Sequence, residues 1–230
     1  MVTVAPPVAP DAGAQVRRES NKRREAILPV VPVEGLSLRR FTLDEYHHLI
    51  DIGFFDEDER VELLEGVLVY MSPNNPPHIR TVLRLFRFLV SQITQEAIEV
   101  RAQGPISIPE LMTEPEPDLV ISKESGGTLD ERHPFPADIL LLMEVSDSSL
   151  AYDRTRKAEI YAQVGIPDYW IWNLVDNSLE VYRDPHAPAI GDALYQTKLT
   201  IHSGESIAPL AFPDFEVAVV DIMPPAVSES

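Results

Sequence analysis

Apolar residues along this chain follow two rhythms, and the change from one to the other marks its elements. Ile139-Leu-Leu-Leu-Met-Glu144-Val145 is a continuous apolar run with a single charge in it, the pattern of a short, fully buried strand. From Tyr152 to Val164 the apolar positions recur at helical spacing, and Lys157 shares a face with Tyr161 and Val164 at i+4 and i+7. The helix predicted there stops at Gly165, with Pro167 behind it. VELLEGVLVYMS, residues 61–72, has two apolar runs around Glu65-Gly66 and predicts a hairpin. DYWIWNL and SLEVYRD predict a second hairpin across Asp176-Asn177-Ser178.

Thr42-Leu-Asp-Glu45 is a capping box that opens a short helix through His48 and Ile50. Pro76 and Pro77 can begin a long helix. Ile79, Leu83, Phe86, Val90 and Ile93 form its predicted apolar stripe, with Arg80, Arg84 and Arg87 on other faces. Strands are expected at about 98–108, at 117–122 from Pro117-Asp118 onward, and at 138–145. Further strands are expected between about 193 and 221. This order gives an α/β or α+β fold, one mixed sheet flanked by helices with an extra C-terminal β region. Residues 1–36, rich in Pro, Ala and Val, are expected to be an extended arm. Residues 37–222 are expected to form the one domain, and 223–230 a disordered tail.

Composition removes several classes of function. The chain has no cysteine among its 230 residues, which excludes disulfide frameworks, thiolate zinc sites and cysteine nucleophiles. Neither a secretory signal pattern nor an apolar run of about 18 residues is present, so a soluble, cytoplasmic protein without membrane contact is expected. The net charge of -18 argues against a surface that coats nucleic acid. Within the first 36 residues Arg17, Arg18, Lys22, Arg23 and Arg24 outnumber Asp11, Glu19, Glu25 and Glu34 by one, leaving about -19 for the rest.

Against that background the charges on apolar elements stand out: Glu62, Asp118, Glu144 and Lys157. An ionised group out of water needs a partner or a metal. Carboxylates converging without His or Cys make a hard-oxygen site, suited to Mg²⁺ or Mn²⁺ and poorly suited to zinc. A lysine beside such a site can hold a phosphate or act on an attacking water. The expected reaction is metal-assisted hydrolysis of a phosphodiester.

The residues Pro117-Asp118, Glu144-Val145-Ser146, Tyr152-Asp153-Arg154, Lys157 and GIPDYWIW resemble the Uma-type restriction endonucleases of the PD-(D/E)XK nuclease superfamily. The resemblance runs from about Phe41 to Phe215, with EVSDSSLAYDRTRKAEIYAQVGIPDYW as its long and specific block. It implies a restriction-endonuclease-like core, a magnesium-dependent DNA-cleaving site and, for cutting both strands, a homodimer. By position it implies Asp118 and Glu144 as metal ligands and Glu62 as the early acidic residue. Ser146 stands where the superfamily's plain pattern has its lysine, and the family's lysine on the following helix corresponds to Lys157. His78 matches a position where the family often has histidine, with phosphate or water as its expected contact. Asp153 is an accessory candidate that could orient Lys157, and Gln103 in its strand is another.

Each residue also has a plainer reading. Glu62 can be an exposed strand residue, Asp118 a turn cap, and Glu144 with Lys157 a structural ion pair. Asp153 and Lys157 can be an exposed i, i+4 pair, and His78 a surface histidine. Trp170 and Trp172 read as core or interface rather than a base-stacking platform. At the level of the whole chain, the alternatives to a nuclease are a catalytically silent nuclease-fold binding or assembly protein and a magnesium-dependent hydrolase of a smaller phosphate substrate.

Overall fold

The run from Ile139 to Ser146 forms the strand at the heart of the computed structural model, which describes residues 39–56, 58–123 and 131–223. The expected N-terminal arm and residues 224–230 of the expected tail lie outside the described residues, while Met223, placed in that tail, is buried in the core. In chain order the elements are α1 (Leu43–Asp51), β1 (Val61–Leu64), β2 (Val67–Tyr70), α2 (Pro76–Gln92), β3 (Ile98–Ala102), β4 (Leu119–Lys123) and β5 (Ile139–Ser146). A helix over 150–163, α3, follows, with β6 (Asp168–Asn173), β7 (Ser178–His186) and β8 (Leu194–Ile201). A ribbon of β9 (Ser206–Ile207) and β10 (Val217–Ala218) and a last helical turn, α4 (Val219–Ile222), close the described part.

Six strands make one mixed sheet in the order β3-β4-β5-β6-β7-β8. All neighbours are antiparallel except β5 and β6, which run parallel because α3 carries the chain back between them. Alternation along the strands splits the core in two. Leu119, Leu141, Met143, Val145, Trp170 and Trp172 face α2 and α4, whereas Val120, Leu142, Tyr169 and Ile171 face α3 and the β1–β2 hairpin. Glu144 belongs to the second row, since it lies between Leu142 and Ser146 and pairs with Ile171. The strand that buries it therefore aims it at α3.

Local chemistry explains where the elements begin. Thr42 caps α1 with both bonds of the capping box. Asn75 caps α2, accepting from the N–H of His78, and the prolines fill the positions that need no donor. The hairpins form at Glu65-Gly66 and around Asn177, where Glu65, Gly66 and Asn177 all take positive φ.

Three expectations need correction. The buried stripe of α2 is Val82, Leu85 and Leu89 with Thr81, while Ile79, Leu83 and Val90 are 45–48 % exposed. Of the expected stripe only Phe86 and Ile93 pack on the core, because the helix carries two apolar stripes and the sheet selected mainly the other. β3 ends at Ala102 rather than 108, because Gln103 turns to φ 52 and takes the chain out of the sheet. The end of the 193–221 stretch is the helical turn α4, where Val219 and Ile222 pack against the α2 face.

Candidate active site

Register alone brings Asp118 and Glu144 together. Leu119 pairs with Met143 in the antiparallel β4–β5 ladder, so one step back along β4 and one forward along β5 sets Asp118 across from Glu144. The contacts agree: the N–H of Val145 donates to Asp118 Oδ2 at 2.8 Å, and the N–H of Asp118 to Glu144 Oε2 at 3.4 Å. Both residues sit at the carboxyl end of β5, beside the one parallel pair of the sheet, where open α/β sheets place their ligands.

Lys157 arrives from α3. Its Nζ lies 3.0 Å from Glu144 Oε1 and 3.5 Å from Glu62 Oε2, and its side chain keeps 7 % exposure. Glu62 comes from β1, where it also accepts from the N–H of Glu116. All four of the charges on apolar elements thus line one cleft of about 280 Å³. His78, in the first turn of α2, donates through Nε2 to Asp118 Oδ2 at 3.1 Å. Its other nitrogen, Nδ1, is buried without a partner among the described residues.

Asp153 also lines the cleft and is buried, yet its bonds are different from an exposed pair with Lys157. Its Oδ2 accepts from Ser146 Oγ at 2.7 Å and from Ser149 Oγ at 2.6 Å. Ser146 thus fastens α3 to the end of β5. Gln103 lies elsewhere: it is exposed, one residue past the end of β3, and does not line the cleft. Trp170 and Trp172 are fully buried, as core.

Three contributors were not singled out by sequence reasoning. Tyr161 Oη donates to Glu144 Oε1 at 3.1 Å, the same oxygen that Lys157 reaches. Its position one turn beyond Lys157 was visible, but an aromatic on that face reads as packing. Asp147 accepts from Asn75 Nδ2 at 2.5 Å across the cleft mouth, and Glu116 adds a further carboxylate to its wall. The last difference is in the helix itself. α3 is α-helical at Leu150–Tyr152 and Ala158–Gln163 but makes a π turn over Asp153–Lys157, pinned from outside by Arg154 on Glu180. π turns of this kind recur at functional sites.

The electrostatics follow from one ammonium among several acids. Burial, with Asp153 and Asp118 beside it, pushes the Glu144 carboxyl up to about 8 against the pull of Lys157. Burial works against the Lys157 ammonium, but Glu144, Tyr161, Glu62 and Asp153 outweigh it and hold the lysine well above its ordinary range. Tyr161 is held well above 10.0 by burial and by Glu144, so its hydroxyl remains a donor. The cleft thus has more negative charge than its lysine balances, and takes a proton near neutral pH.

A divalent cation fits this donor set in place of that proton. No group of three or more His, Asp or Glu among the described residues is arranged to hold a metal. Magnesium, however, takes one or two carboxylates and completes its shell with water and phosphate oxygens. Asp118 and Glu144 meet that smaller requirement, since Asp118 Oδ1 makes no hydrogen bond among the described residues and Glu144 Oε2 accepts only the 3.4 Å one.

A structure of a "putative nuclease belonging to DUF820" from Anabaena variabilis has the same fold. It is 13 % identical, covers 79 % of this chain and 97 % of its own, and superposes with a TM-score of 0.61. No curated protein matches the chain. Among the described residues no helix is long and apolar enough to cross a membrane. The family model Uma2, described as "Putative restriction endonuclease", matches residues 43–220. That span is well over half the chain and contains every charged residue of the cleft, so the protein belongs to the Uma2 family.

Proposed function

We propose that the protein is a divalent-metal-dependent nuclease that hydrolyses DNA phosphodiester bonds with Mg²⁺ or Mn²⁺. The observation that carries this reading is the convergence of Asp118, Glu144, Glu62 and Lys157 in one cleft at the end of the parallel strand pair. Asp118 and Glu144 would hold the cation, which supplies charge neutralisation at the phosphate. Lys157, kept as an ammonium, serves as a hydrogen-bond donor to a phosphate oxygen or to the attacking water. A charged lysine cannot itself take the water's proton. Glu62, 3.5 Å from that ammonium and outside the ligand pair, is placed to accept it. His78 and Asp153 orient: the first holds Asp118, the second ties α3 to Ser146.

A silent binding protein has no use for so many buried charges around one cleft, which favours the enzyme. The cleft's small volume suits a second reading, hydrolysis of a smaller phosphate ester. A homodimer belongs to the version in which both strands of a duplex are cut. Nicking of supercoiled plasmid by purified protein in Mn²⁺ or Mg²⁺ tests the proposal. Nicking that disappears in Glu144→Ala and Lys157→Met supports it. No nicking, with turnover of a chromogenic phosphodiester that Glu144→Ala abolishes, would replace it with the small-ester reading.

A further inference from the structure

The acids of the cleft are bonded by one rule, which, on the metal-dependent nuclease reading it rests on, governs the choice of cation. Each gives a single oxygen to two protein donors. Asp118 Oδ2 accepts from the N–H of Val145 at 2.8 Å and from His78 Nε2 at 3.1 Å. Glu144 Oε1 accepts from Lys157 Nζ at 3.0 Å and from Tyr161 Oη at 3.1 Å. Glu62 Oε2 accepts from the N–H of Glu116 at 3.2 Å, with Lys157 Nζ 3.5 Å away. The other oxygen of each acid is left over. Asp118 Oδ1 and Glu62 Oε1 make no hydrogen bond among the described residues, and Glu144 Oε2 has only the 3.4 Å one from the N–H of Asp118.

Two of these donors come from helices rather than from the strands that carry the acids. The Tyr161 side chain is fully buried in α3, and Glu144 is the one acceptor of its hydroxyl among the described residues. A phenylalanine would fill the same space, so what the hydroxyl adds is the bond. His78 approaches Asp118 from the first turn of α2. A carboxylate oxygen only accepts, so Nε2 carries the hydrogen, while Nδ1 is buried without a partner. The ring is thus oriented by Asp118 and by nothing on its other side. A carboxylate with one oxygen tied by two donors offers a cation the other oxygen alone. Mg²⁺ and Mn²⁺ accept single oxygens in an octahedral shell that water completes. Ca²⁺ gathers about six to eight oxygens, commonly both from one carboxylate.

We propose that Tyr161 and His78 are positioning residues that hold Glu144 and Asp118 to one metal-binding oxygen each, and so set a preference for Mg²⁺ or Mn²⁺ over Ca²⁺. The test titrates the metal-free protein with Mn²⁺, read from the paramagnetic resonance of the free ion, with Mg²⁺ and Ca²⁺ as competitors. Wild type should hold Mn²⁺ and Mg²⁺ more tightly than Ca²⁺. Tyr161→Phe and, on a different element, His78→Leu should each weaken Mn²⁺ about tenfold and Ca²⁺ far less, which narrows the preference. His78→Gln, which keeps an N–H donor, should restore it. Melting in metal-free buffer confirms that each variant is folded. Equal weakening of both ions, the mark of a packing role alone, overturns the inference. So do wild-type affinities in both variants, or a wild type that holds Ca²⁺ as tightly as Mn²⁺; plasmid nicking in Mn²⁺ would in each case leave the nuclease reading standing. A wild type that neither binds Mn²⁺ nor nicks plasmid overturns both.

Discussion

Lys157 and Glu144 form a salt bridge at 3.0 Å in which neither side chain keeps more than 7 % exposure. Two such charges in a core are costly singly and tolerable together. Lys157→Met should therefore lower stability by about 3 kcal/mol at pH 9, above the native Glu144 value of about 8, where the buried carboxylate loses its cation. The deficit should shrink at pH 5, where Glu144 is protonated in the native state. The double variant Lys157→Met/Glu144→Gln should recover most of the loss, and urea denaturation at both pH values measures all three quantities.

The Glu144 carboxyl gives stability a pH slope of defined sign. Its folded value, about 8, lies above the ordinary 4.5, so between those values the native state holds a proton that the unfolded chain has released. The stabilisation is complete below the unfolded value, declines as pH rises at up to about 1.4 kcal/mol per unit, and is gone above the folded value. Glu144→Gln should flatten stability between pH 5 and pH 8 in metal-free buffer. A variant with the wild-type slope would show that another group carries it.

Glu180 has the opposite sign. Burial would raise it, but hydrogen bonds from Arg154, Lys198 and Tyr182 outweigh that and hold it at about 2. This stabilisation is present above the unfolded carboxylate value and is lost as pH falls through the folded one. Arg154→Met should lower the melting temperature at pH 7 by several degrees and by much less at pH 2.5.

Two glycines with the same φ of +76° should respond differently to alanine. A Cβ on Gly66 would stand 2.5 Å from Arg40 Cβ and 2.9 Å from the carbonyl of Phe41, whereas nothing lies within 4 Å of one on Gly165. Gly165→Ala should cost about 1 kcal/mol, the conformational strain alone. Gly66→Ala should cost more, about 2–3 kcal/mol, and should reduce activity as well, because its hairpin carries Glu62. Chemical denaturation and plasmid nicking together separate the two effects.

Local patterns made much of this legible before the fold. An apolar strand with one acid, a lysine on an apolar helix face, a capping box and a turn at Glu65-Gly66 each depend on residues close in sequence. The phase of α2 did not, because two apolar stripes compete and only the sheet decides between them. Gln103 was placed in a strand since nothing in its neighbours announces a positive φ. Tyr161 was seen on the right face, but whether a buried tyrosine packs or donates depends on a carboxylate 17 residues away. The walls formed by Glu116, Asp147 and Asn75 come from separate segments and have no common sequence signal.

The π turn over Asp153–Lys157 has a consequence for chain length. In a regular α-helix, side chains at four-residue intervals drift round the axis by about 40° at each step. Asp153, Lys157 and Tyr161 follow one another at that interval, and yet all three reach the chemistry at the end of β5: Asp153 binds Ser146, while Lys157 and Tyr161 bind Glu144. The wider turn takes out part of the drift and keeps them in file. It does so by holding one residue more than α geometry needs. Deleting Thr155, whose side chain only bonds back to its own helix, would shorten the turn at no cost to the core yet rotate the file, parting the two donors on Glu144 from the serine-bound end.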